Sequence, residues 1–64
     1  MTKLVRIGSL DNNITYEHIC DTTADLETID PEQINLGSIA LVIEGTAGIE
    51  IYIANSQKEW TLFV

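Results

Sequence analysis

Positive charge is what this chain has least of. Three lysines and arginines stand against ten aspartates and glutamates, a formal net charge of −7 over 64 residues. The cations are segregated, Lys3 and Arg6 near the start and Lys58 near the end. Nothing from Ile7 to Gln57 is positive, while that span holds nine carboxylates. A phosphate backbone needs a cationic track, so the sequence argues against direct nucleic-acid binding. An acidic surface serves solubility, or suits a basic partner.

Cysteine is scarcer still. Cys20 stands alone, which excludes an internal disulfide and a disulfide scaffold. Long apolar runs are missing too. The longest is Ile39 to Ile43, far short of a bilayer span, so no membrane association is expected. Met1-Thr2-Lys3 is not followed by an apolar stretch of signal-peptide type, and the chain is expected to stay in the cytoplasm where it is made. Apolar residues nevertheless make up 45% of the sequence, too many for a disordered tail. The totals describe one domain near the lower size limit for a core that folds alone.

The usual signatures of chemistry are also lacking. "GSL", "GSI" and "GTAG" have neither the spacing nor the lysine of a phosphate-binding loop. His18, Cys20 and Asp21 cluster locally, but they supply three ligands where a structural zinc site wants four, so no metal or other cofactor is implied. With a single histidine, Ser9, Ser38 and Ser56 have no partners for a triad. Cys20 with His18 as base is the one nucleophilic pairing available, without an orienting third group, and a small buried thiol is the plainer reading. The pairs Asp25 with Glu27 and Asp30 with Glu32 read as a solvated face. No catalytic residues are assigned, and the chain is expected not to be an enzyme.

What is present is a pattern of strands. Residues 1–13 read as an N-terminal arm, Leu4-Val5-x-Ile7, followed by the turn residues Gly8, Ser9, Asp11, Asn12 and Asn13. Residues 14–21, "ITYEHICD", are rich in strand formers and place Ile14, Tyr16, His18 and Cys20 on one face. Residues 22–37 change character. Thr22 with Asp25 fits a helix-opening box, Leu26 and Ile29 point inward, and Pro31 stops the helix. "PEQINLG" then reads as a loop anchored by Ile34 and Leu36. Residues 38–64 resolve into three alternating runs, split by "GTAG" and "NSQKE". Their rhythm of about ten residues per strand is that of an antiparallel meander. The predicted fold is mainly β, a small α+β domain of three meander strands, one N-terminal strand and one short helix.

This architecture has a surplus. Ile39, Leu41, Ile43, Ile49, Ile51, Ile53, Trp60, Leu62 and Val64 alternate with a second set that holds Ala40, Val42, Tyr52, Ala54 and Phe63 beside Glu44, Glu50, Glu59 and Thr61. A meander with one wet face shows a clean polar side, and here both sides are substantially apolar. The short helix and N-terminal strand can cover one. The last strand runs to Val64 with no charged tail to blunt its edge. An interaction module follows, with Leu4, Val5, Ile7, Tyr52, Trp60, Phe63 and Val64 as candidate interface residues. Trp60 reads first as a core anchor and second as an interface hot spot. Tyr52 and Phe63 are expected to share one face.

The stretch "ADLETI…INLGSIALVIEGTAGIEIYIANSQKEWTLFV", residues 24 to 64, resembles small tailed-phage virion proteins and modules of phage head-fibre, tail-fibre and capsid-decoration proteins. The helix, the Gly-Ser strand entry, the Tyr-x-x-Asn-Ser turn and the Trp fall in the same order, and "LVRI" and "ITYEHICDT" match more loosely. "GTAGIEI" is a slightly longer hairpin than the shortest forms of that pattern. The resemblance implies a non-enzymatic virion component, made in the bacterial cytoplasm, that docks on capsid or connector protein as a decoration, minor head or fibre-anchoring subunit. A homo-oligomer, a trimer, is the expected assembly. The competing expectation is a small acidic phage inhibitor that mimics nucleic acid, with Asp21, Asp25, Glu27, Asp30 and Glu32 as its phosphate-like row.

Overall fold

A computed structural model describes residues 1–10 and 13–63. Asp11 and Asn12, expected in the first turn, and Val64, a candidate interface residue, lie outside the described residues. The chain is mainly β. Five strands, β1 (Thr2–Leu10), β2 (Asn13–Thr22), β3 (Ile39–Gly45), β4 (Gly48–Ala54) and β5 (Trp60–Leu62), form one sheet in the order β1-β2-β3-β4-β5. Neighbours are antiparallel except β2 and β3, which run parallel.

The expected N-terminal arm is a full nine-residue strand, hydrogen-bonded to β2. Gly8, Ser9 and Asn13, expected in a turn, are paired opposite Thr15, Ile14 and Leu10. Their weak strand preference yields because each has a backbone partner across the hairpin, and context outweighs propensity in sheets. The ladder slips between Leu4 and Arg6, leaving Val5 as the extra residue of a bulge.

Parallel strands cannot be joined by a tight turn, and residues 23–38 supply the crossover. Its first piece is a 3-10 turn, Thr23–Thr28, with Asp25 at the third position. The Asp25 carboxylate accepts the N–H groups of Thr22 and Asp21, each at 3.1 Å, and so satisfies donors that a helix start leaves open. A second 3-10 turn, Pro31–Gln33, replaces the expected loop. Pro31 therefore opens a turn as well as closing one, because its missing N–H costs nothing at a first helical position. The Asp30 carboxylate caps this turn by accepting from Glu32 N–H at 3.0 Å.

Pairing fixes which side chains share a face. His18 and Cys20 lie opposite Ala40 and Val42, which lie opposite Tyr52 and Glu50, and Ala54 lies opposite Trp60. The crossover packs on this side. Leu26, Ile29 and Ile34 join Cys20, Ala40, Val42 and Ala54 in the buried core, with Tyr52 and Trp60 partly buried against it. The covered face thus has small residues, Cys20, Ala40 and Ala54, under the crossover, with Tyr52 and Trp60 toward β5. Alanines let the crossover approach the sheet closely, where a row of isoleucines would hold it away. Leu36, expected as an anchor, is half exposed instead.

Candidate interaction surface

The opposite face carries an unbroken row of branched aliphatic side chains. Alternation from the same register places Ile19, Ile39, Leu41, Ile43, Ile49, Ile51 and Ile53 there, across β2, β3 and β4. Ile39 and Ile43 are exposed, and Ile49 reaches 65% exposure. Ile19, Leu41, Ile51 and Ile53 are only half-buried, sheltered by one another. No described element packs over them. Phe63 extends the patch beyond β5, its N–H donating to the Ile51 carbonyl at 2.7 Å and its side chain 66% exposed. Beside it, an apolar groove of about 280 Å³ is walled by Leu36, Ile53, Thr61 and Phe63.

Charge is nearly absent from the middle of this face. Alternation gives it Lys3, Arg6, Glu17 and Asp21, two of each sign, all on β1 and β2. Arg6 pairs with Glu17 across the two strands. A second groove, about 290 Å³, runs along that polar margin past Arg6, Gly8, Thr15 and Glu17 to Ile39. The remaining described carboxylates lie elsewhere. Asp25, Glu27, Asp30 and Glu32 ride on the crossover, Glu44 and Glu50 alternate to the covered side, and Glu59 sits in the last turn.

The candidate interface residues do not form one patch. Tyr52 is paired with Leu62, which puts it on the covered side, while Phe63 falls on the open one. The expectation that Tyr52 and Phe63 share a face is therefore corrected. The five-residue turn Asn55–Glu59 sets Trp60 opposite Ala54 and shifts the phase of the last strand by one residue. Trp60 packs against the core, edge-on to His18 with ring centroids 6.2 Å apart, and its buried indole N–H has no partner among the described residues. Leu4 is half-buried on β1, and Val5 and Ile7 are exposed there, away from the aliphatic centre.

The residues considered for chemistry have structural surroundings. Cys20 is fully buried, and desolvation, with the Asp25 charge second, pushes its thiol up and away from the thiolate. His18 is buried, and its Nε2–H donates to the Gln33 carbonyl at 2.9 Å, which ties β2 to the crossover. Buried Glu50 accepts from the Tyr52 hydroxyl at 2.9 Å and from Thr23 at 3.5 Å. That hydrogen bond, followed by desolvation, raises the Tyr52 phenol above its ordinary value. A Cβ on Gly45 would run into the Glu50 side chain, so the glycine leaves the space into which Glu50 folds over the hairpin. Among the described residues no group of three or more His, Cys, Asp or Glu is placed to hold a metal ion.

The aliphatic face was absent from the candidate residues, yet its signal was present in the sequence. Isoleucine or leucine at every second position of two successive strands, against the mixed set Ala40, Val42, Glu44, Glu50, Tyr52 and Ala54, marks one purely aliphatic face and one mixed face. Compared with known proteins, the chain matches no family model, no curated protein and no solved structure.

Proposed function

We propose that this chain is a non-enzymatic structural subunit of a tailed-phage virion, docking on capsid, connector or another virion protein through its open sheet face. The observation that carries the reading is the aliphatic row Ile39, Leu41, Ile49, Ile51 and Ile53, left uncovered in a domain too small to spare apolar surface. The resemblance of residues 24 to 64 to phage virion modules supplies the setting.

The acidic-inhibitor reading needs free carboxylates in a phosphate-like row. Three of its five have internal partners: Asp25 accepts from Asp21 N–H, Thr22 N–H and the N-terminal amine, the Asp21 carboxylate lies 3.5 Å from the same amine, and Asp30 caps a turn. An exposed aliphatic face also suits a nucleic-acid mimic poorly, so the structural reading is the stronger. Mass spectrometry of purified particles of the encoding phage tests it. The chain is expected in many copies per particle. Its recovery only from infected-cell lysate, bound to a host enzyme, overturns the reading in favour of the inhibitor.

A further inference from the structure

We infer that the occupant of the open face is a second copy of this chain, stacked sheet to sheet about a two-fold axis. This rests on the reading of that face as a docking surface, and it names the partner.

Three observations favour a copy of self. The first is charge. A protein of net charge −7 repels its own copies unless the acids point away from the contact. Here the crossover carries Asp25, Glu27, Asp30 and Glu32 on the far side of the sheet, while the open face holds two cations and two carboxylates. Two copies brought together by this face meet across an uncharged aliphatic centre with balanced margins. A face-to-face pairing through the crossover side would instead bring acid against acid.

The second is area. The molecule measures 33 × 19 × 17 Å. Its largest outline is therefore at most roughly 600 Å², and two copies stacked over it would bury at most on the order of 1,200 Å² together, the lower end of stable interfaces. The third is shape. A row of isoleucine and leucine on a pleated surface packs best against another such row, about 10 Å away, with side chains interdigitating as in a β-sandwich. One flat face accommodates one other, which gives a closed pair; a trimer would need two different contact surfaces.

Two measurements on the full chain test this. Light scattering over a concentration series is expected to give twice the 7.1 kDa chain mass, falling to the single-chain mass on dilution. NMR with a soluble paramagnetic probe is expected to leave the methyls of Leu41, Ile51 and Ile53 protected in the pair. The double variant Ile49→Lys with Phe63→Lys changes two side chains that the isolated fold leaves about two-thirds exposed, so folding survives. It is expected to raise the dissociation constant tenfold or more and expose those methyls to the probe, with circular dichroism unchanged.

A folded single chain at every concentration overturns the second copy as occupant. Docking on a different virion protein would then stand or fall by the particle analysis alone. A dimer whose open-face methyls stay exposed, or a stable trimer, also overturns it. A confirmed dimer missing from purified particles would leave this inference intact and remove the virion assignment.

Discussion

Ser38 is the smallest side chain with a large structural duty. It is fully buried, and its Oγ accepts two backbone N–H groups, from Tyr16 in β2 and from Asn35 in the crossover, both at 3.1 Å. Asn35 in turn donates to the Ile14 carbonyl at 2.9 Å, so the crossover is stitched to β2 just before β3 begins. Replacing Ser38 with Ala leaves both N–H groups without that acceptor in a site closed to water. The expected loss is about 1–3 kcal/mol, read as a lower urea midpoint with an unchanged slope. A midpoint equal to wild type would show that the two donors find other partners. The Gly-Ser pair before β3 was visible in the sequence as a strand entry. Its hydrogen-bonding role was not, because both donors are backbone groups and one of them lies 22 residues away.

At the scale of elements, the crossover is organised around Asp25. Its carboxylate gathers the N-terminal amine and the N–H groups of Asp21 and Thr22, joining the start of β1 to the end of β2. The amine, then the Thr22 N–H, holds Asp25 below the ordinary carboxylate range, and Asp25 in return raises the amine. A depressed carboxylate contributes stability above its unfolded pKa and loses it as pH falls through the folded value. A raised amine contributes below its unfolded pKa and loses it as pH rises through the folded one. The contact is therefore whole between roughly pH 5 and pH 7 and weakens on both sides. Thermal melts of Asp25→Asn are expected to show a flatter acid limb than wild type; an identical slope below roughly pH 5 would assign that limb to other carboxylates. The Thr22-Asp25 spacing and Pro31 made this element legible in outline. The β1 strand was legible only as an apolar arm, since Gly8, Ser9 and Asn13 read locally as turn. The phase of β5 was hidden as well. It depends on the Asn55–Glu59 turn, where Lys58 takes a left-handed φ of 64° and the Asn55 side-chain amide oxygen accepts the N–H groups of Gln57 and Glu59. Turn geometry of that kind decides facing, and composition does not reveal it.

The whole molecule is a sheet with one acidic, covered side and one aliphatic, open side, and this polarity has a consequence that a list of contacts does not. The alternation made both apolar faces readable in the sequence. Which face the crossover would cover was not readable, because it turns on close approach at Ala40 and Ala54, a property of packing in three dimensions. If two copies stack through the open face, the crossover acids stay outside the contact but still repel through solvent at a distance of one or two sheet thicknesses. Salt screens that repulsion: the Debye length shrinks from about 30 Å at roughly 0.01 M to about 8 Å at roughly 0.15 M. It leaves aliphatic burial almost untouched. The dissociation constant is therefore expected to fall several-fold across that range, measured by sedimentation or light scattering at neutral pH. An association held by ion pairs, such as Lys3 or Arg6 of one copy against the acidic crossover of another, would weaken with salt instead. The sign of the salt dependence thus separates the aliphatic face from the charged one as the seat of assembly.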